Sequence, residues 1–218
     1  MKYHLIWDMD GTLVDSEPEI LTTIQKALAS VNLSFRDVRR PLKIGPPLPV
    51  MLRSAFDEKV LNDEKLQEVV RAFRKVYDTS EFEDTKPFEG IDCIIRSPEF
   101  VHYVITNKPF YATRRIIEKK GWTQFFSEVL SPDTYLEKMG RPMNKQELFQ
   151  LFHNNHPDLK AIGIGDMAGD VLCAKTVGYY SIGVLWGTGT WEELSAAACD
   201  GIVASSDELL GILKAYRQ

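Results

Sequence analysis

Trp7-Asp8-Met9-Asp10-Gly11-Thr12-Leu13-Val14-Asp15 sets two carboxylates one residue apart at the end of an apolar run, with a glycine directly after them. Tyr3 to Trp7 read as a short buried strand. Past its end, alternation aims Asp8 and Asp10 the same way, and Gly11 permits the tight turn needed to enclose a small anion. Two like charges this close repel unless a proton or a cation compensates them. Mg²⁺ is the natural compensator, because it takes hard oxygen ligands and is usually held by one or two carboxylates plus phosphate oxygens. One carboxylate can then attack phosphorus to form an acyl phosphate. The second, Asp10, can protonate the departing alkoxide and later deprotonate water. The competing reading is a plain turn, since Asp and Gly are residues that turns favour.

The 218 residues, 44% of them hydrophobic, suffice for a globular core of one domain or of a domain with a sizeable insertion. A net charge of −5 argues against a broad nucleic-acid or anionic-membrane surface, so neither partner is expected. No run approaches about 18 apolar residues, and two acids stand where a signal peptide would need its apolar middle. A cytoplasmic protein, monomer or homodimer, is expected. Cys93, Cys173 and Cys199 are odd in number and widely spaced, which suits reduced thiols. His153 and His156 sit where a helix runs out before Pro157 and lack the third ligand that a zinc site needs.

From Ser16 the pattern turns helical, with Ser16 as N-cap, Pro18 in the first turn and Glu19 three residues after the cap. Ile20, Ile24, Ala27, Leu28 and Val31 continue at helical spacing. A Gly- and Pro-rich break at 44–49 precedes helices near 50–56 and 66–77, so residues 16–86 read as wholly helical. Beyond Lys86-Pro87 strands and helices alternate, with strands expected at 101–106, 128–131, 160–165, 180–185 and 201–204. The strand at 3–7 belongs with these. The fold expected is therefore α/β, a doubly wound parallel-sheet (Rossmann-like) core formed by 1–15 and 87–218, with an all-helical domain, 16–86, inserted in it.

Two further strand ends carry polar groups. Thr106-Asn107-Lys108-Pro109 places a hydroxyl, an amide and a helix start together, which suits a phosphate as well as it suits a simple N-cap. Thr106 would donate to a phosphoryl oxygen and Asn107 would help to position it. Gly165-Asp166-Met167-Ala168-Gly169-Asp170 follows another strand. Asp166 is the candidate third protein ligand for Mg²⁺, with Asp170 behind it holding a metal-bound water or a neighbouring cation. Acids also favour the first turn of any helix. In a doubly wound sheet, however, the carboxyl ends of the strands converge on one crevice, and Asp8, Asp10, Thr106 and Asp166 all stand at such ends.

In this order the motifs resemble those of the haloacid dehalogenase superfamily, and among its phosphatases the phosphoglycolate phosphatase-like members with a helical cap inserted after the first strand. The segment from Asp8 to Ser16 is similar to the first motif, Thr106 to Pro109 to the second, Gly165 to Asp170 to the fourth; Gly183 to Gly187 and Asp207 to Leu210 are similar to the closing segments. The resemblance implies that Asp8 is the nucleophile and Asp10 the acid/base, with Mg²⁺ held by Asp8, the Asp10 backbone carbonyl and Asp166.

The third motif of that family is a lysine, usually followed by proline. Here Arg141-Pro142 matches it, 25 residues before Asp166, and Lys145 lies one helical turn further on. Arginine keeps the charge in a larger, planar group. Arg141 is placed slightly ahead of Lys145 for the role. The implied activity is a Mg²⁺-dependent phosphatase acting on a small phosphorylated metabolite, phosphoglycolate being the family-based guess. A phosphosugar mutase and a non-catalytic binding protein on the same scaffold are the alternatives; dehalogenation would leave Asp10 superfluous. Arg39, Arg40, Lys43 and Arg53 in the inserted block are either solvated or available to a substrate anion.

Overall fold

The computed structural model describes residues 3–216. They divide into two compact units, one running up to Asp15 and resuming at Lys86, the other Ser16–Thr85. In the first unit six parallel strands form one sheet: β1 (Tyr3–Trp7), β4 (Phe100–Ile105), β5 (Phe126–Leu130), β6 (Ala161–Gly165), β7 (Tyr180–Val184) and β8 (Gly201–Val203). Two residues each in β2 (Val14–Asp15) and β3 (Lys86–Pro87) pair antiparallel beside it. Lys86, expected in the helical block, thus lies in a strand of this unit.

The sheet order is β5-β4-β1-β6-β7-β8. Counting only its own strands, this is the doubly wound order, which reverses direction between β1 and β6. Register places Trp7 level with Val104 on one side and Ile164 on the other. Asp8 therefore leaves β1 at the switch point, and its N–H bonds to the Ile164 carbonyl at 2.9 Å. β-alternation sends Ile6, Tyr103 and Ile105 to one face, where they pack with Leu148, Phe149 and Phe152 of α7 (Lys145–Asn155) and Ala174 of α8 (Ala168–Thr176). On Trp7 and His102 the side chains meet instead, indole Nε1 donating to His102 Nδ1 at 3.0 Å in the core.

The other helices of the unit are α4 (Ile91–Ile95), α5 (Phe110–Lys119), α6 (Leu136–Met139), α9 (Trp191–Ala196) and α10 (Ser206–Ala215). None of the described helices is long and apolar enough to cross a membrane.

The second unit consists of α1 (Glu17–Ala29), α2 (Leu48–Ala55) and α3 (Asp63–Tyr77) with their connections. α1 stops at Ala29, so Val31 falls outside it. Ser16 does occupy the N-cap position but makes no side-chain cap bond there, and Glu19 does not close a capping box. The Glu19 carboxylate instead accepts from Ser80 Oγ and, at 2.8 Å, from Thr85 Oγ1, joining the two ends of the unit. Arg39 and Arg53 form ion pairs with Asp57 and Asp63, which engages two of the four basic residues singled out above within the unit itself.

Candidate active site

The strand tips at the switch point bring four carboxylates and two ammonium groups together. Asp8 and Asp166 follow β1 and β6, and one oxygen each from Asp8, Asp166 and Asp170 lie within 4.8 Å of one another. Asp8 and Asp166 are buried. Gly11 has φ +80°, and a Cβ there would stand 2.4 Å from Asp166 Oδ2, so the turn after Asp10 needs glycine both for its conformation and for the approach of that carboxylate. At Gly165 a Cβ would stand 2.3 Å from the Cβ of Asp170; its absence lets the start of α8 settle against β6.

Lys145 closes the group from the first turn of α7. Asn144 and Glu147 form a capping box that fixes this helix start. From it the Lys145 ammonium donates to Asp8 Oδ1 at 2.6 Å and to Asp170 Oδ1 at 2.5 Å. Arg141 does not reach the site: it is exposed on the loop before α7 and forks onto the Glu147 carboxylate, at 3.0 and 2.6 Å. The order of preference given to these two residues is thereby reversed. Helix geometry decides it, since Lys145 sits on a capped turn aimed at β1 while Arg141 precedes the cap and is drawn to the acid at its third position.

Asp166 is gripped on both oxygens. Thr12 Oγ1 donates to Oδ1 at 3.2 Å; the Thr188 N–H and hydroxyl donate to Oδ2 at 2.8 and 3.0 Å. Asp170 Oδ2 accepts the Met167 N–H at 3.0 Å, so both of its oxygens are engaged as well. Thr106 is buried, and its Oγ1 accepts the Lys108 N–H at 3.1 Å. Asn107 is half-buried at the same corner. Asp10 lies across from it, its Oδ1 accepting from Lys108 Nζ at 2.7 Å.

Burial pushes the Asp8 carboxyl up to about 7 against the opposing pull of Lys145, with Asp170 and Asp166 adding to the rise. Burial likewise raises Asp166 to about 6, helped by the charge of Asp170. Burial by itself would lower Lys145, but Asp170 and Asp8 outweigh it and raise the ammonium above its ordinary value. Carboxylates outnumber ammoniums in this group, and burial raises two of them, Asp8 and Asp166. These oxygens suit a hard divalent cation in charge and in donor type.

The profile of the family described as Haloacid dehalogenase-like hydrolase matches residues 5–184. The chain belongs to the haloacid dehalogenase-like hydrolases. The probable phosphatase IndB of Dickeya dadantii is 28% identical over 220 residues, covering 97% of this chain and 93% of that one. A phosphoglycolate phosphatase of Aquifex aeolicus is 28% identical over 187 residues, 84% of each chain. Among solved structures, a predicted phosphatase from Clostridium acetobutylicum superposes with a TM-score of 0.80 at 26% identity, over 98% of this chain and 99% of that one. This haloacid dehalogenase-like hydrolase is thus phosphatase-like along nearly its whole length.

Sequence reasoning passed over three residues of the hydrolase's site. Lys108 stood inside a quoted motif without a role, although a lysine directly after a strand-end Thr-Asn pair was signal enough to ask for an acidic partner. Thr12 lay inside the first motif in the same way. Thr188, 22 residues beyond Asp166, carried no local signal, because only the return of β7 to the switch point brings it to that carboxylate.

Proposed function

We propose that this hydrolase is a Mg²⁺-dependent phosphomonoesterase that releases phosphate from a small phosphorylated metabolite through an aspartyl phosphate on Asp8, in the manner of a phosphoglycolate phosphatase. The observation that carries the reading is the buried Asp8 carboxylate, held at 2.6 Å by Lys145 and grouped with Asp166 and Asp170. The Asp8 and Asp166 carboxylates with the Asp10 main-chain carbonyl would hold the cation. When bound, Mg²⁺ offsets the repulsion between Asp8 and an anionic ester and polarises the phosphoryl oxygens.

An Asp8 oxygen attacks phosphorus, the bond from phosphorus to the ester oxygen breaks, and that oxygen takes the proton of Asp10. A water molecule then gives a proton to Asp10 and attacks phosphorus; the bond to Asp8 breaks and phosphate leaves. Lys145 neutralises Asp8 and the incoming phosphoryl group, and Asp170 holds the ammonium in place. The Thr106 oxygen already accepts the Lys108 N–H, which turns its own hydroxyl hydrogen outward to a phosphoryl oxygen. Gly11 and Asn107 complete the phosphate pocket.

Incubated with Mg²⁺ and a panel of small phosphorylated metabolites, phosphoglycolate among them, the protein is expected to release inorganic phosphate and to stop when EDTA is added. Phosphate release undiminished in EDTA, or an isomerised sugar phosphate as the product in place of free phosphate, would contradict the reading.

A further inference from the structure

The Lys108 side chain has no part in the reaction just described, yet it is among the most enclosed charges of the described residues. Its side chain is only 2% exposed, and a buried ammonium survives only against a partner. Asp10, 98 residues earlier in the chain, is such a partner: its Oδ1 accepts from Lys108 Nζ at 2.7 Å. The base of Lys108 is anchored at both ends: its N–H by Thr106 Oγ1 at 3.1 Å and its carbonyl by the hydroxyl of the buried Thr113 at 3.4 Å. Pro109 follows with φ −58° and opens α5, so the lysine projects from a stiff strand-to-helix corner.

We infer that Lys108 is a positioning residue for Asp10, an inference that rests on the reading of Asp10 as the proton carrier. A proton passes only within hydrogen-bond reach of the leaving oxygen, and a free carboxylate sweeps through rotamers that miss it. Fixing Oδ1 sets the rotation of the carboxylate and with it the direction in which the other oxygen hands over its proton. The site thus spends one ammonium on each aspartate of the first motif. Lys145 serves Asp8, where the phosphoryl group arrives, and Lys108 serves Asp10, where the proton moves.

Leaving-group dependence separates positioning from mere support. An alkoxide needs a proton to depart, whereas dinitrophenolate does not. In Lys108→Met, phosphoryl transfer from glycerol phosphate is expected to slow by about 100-fold, the lower end of what a placed acid contributes. With dinitrophenyl phosphate the same variant is expected to give a burst of one dinitrophenolate per enzyme at a near-native rate, then slow turnover, because the water step still needs Asp10. KM should hold for glycerol phosphate and fall for dinitrophenyl phosphate, whose aspartyl phosphate accumulates, and Lys108→Arg, which keeps a cation there, should show the same selective loss in smaller measure. If the methionine variant does not fold, the arginine variant carries the comparison. Equal losses in the rate of phosphoryl transfer from the two substrates, or a rise in KM alone, would overturn the inference. Asp10→Asn run in parallel is expected to give the same pattern; if it shows no dependence on the leaving group, the role of Asp10 itself falls, an outcome distinct from failure of Lys108 alone.

Discussion

Replacing Lys145 with methionine is expected to reduce kcat by at least about 10³-fold, while Arg141→Ala stays close to the native rate. The buried Lys145 ammonium bonds to both Asp8 and Asp170, and without it two carboxylates face each other with no cation between them. Attack by one anion on another would then lose one of the two positive charges that offset its repulsion. Removing one partner of a buried charge pair also costs stability, on the order of 3–5 kcal/mol, so a lower Tm should accompany the lost turnover. Arg141 is 57% exposed in its side chain and pairs with Glu147 at the surface, an arrangement worth on the order of 0–1 kcal/mol. Steady-state kinetics on the best substrate from the metabolite panel, with thermal melts of each variant, checks both halves. An active Lys145→Met protein, or an inactive but folded Arg141→Ala protein, would return the role to Arg141.

Asp8→Asn is expected to abolish turnover and, in metal-free buffer near pH 7.5, to raise Tm. Between the ordinary carboxyl value of 3.8 and the folded value of about 7, the folded chain holds a proton at Asp8 that the unfolded chain has lost. Stability therefore falls as pH rises across that interval, and the full penalty is present above it. At about 1.4 kcal/mol per pKa unit the penalty is bounded at about 4 kcal/mol, and at 2–4 °C per kcal/mol its removal by asparagine should lift Tm by at most about 8–16 °C. Mg²⁺ should narrow or reverse the difference, because it stabilises the native carboxylate by binding only the folded chain. Melts at several pH values, with EDTA and with Mg²⁺, test this. A metal-free Asp8→Asn protein less stable than the native one would contradict it.

The sheet was legible because most of its strands are short apolar runs closed by a turn signal, and the acids at β1 and β6 fall directly after such runs; β5, with Ser127 and Glu128 inside it, begins two residues before the expected start. Asp8 and Asp166 needed no knowledge of loops, since a parallel sheet alone carries strand ends to one edge. Lys145 was harder. Counting 25 residues back from Asp166 reaches Arg141, but the same interval separates Lys145 from Asp170, its actual partner. Sequence spacing fits both pairs, and what separates them is the capping box at Asn144 that starts α7 one residue before the lysine. Glu19 failed as a capping residue for a related reason: Ser80 and Thr85, far along the chain, compete successfully for its carboxylate. Local pattern names the donors and acceptors, and tertiary structure chooses among them.

The most direct measurement is borohydride reduction of the protein quenched in acid during turnover with Mg²⁺ and substrate, followed by peptide mass spectrometry. An acyl phosphate on the side chain at position 8 is reduced to homoserine, and the peptide holding Asp8 should carry that change while those holding Asp10 and Asp166 do not. An unmodified Asp8 in a protein that is turning over, with Asp8→Asn still releasing phosphate, would contradict the account.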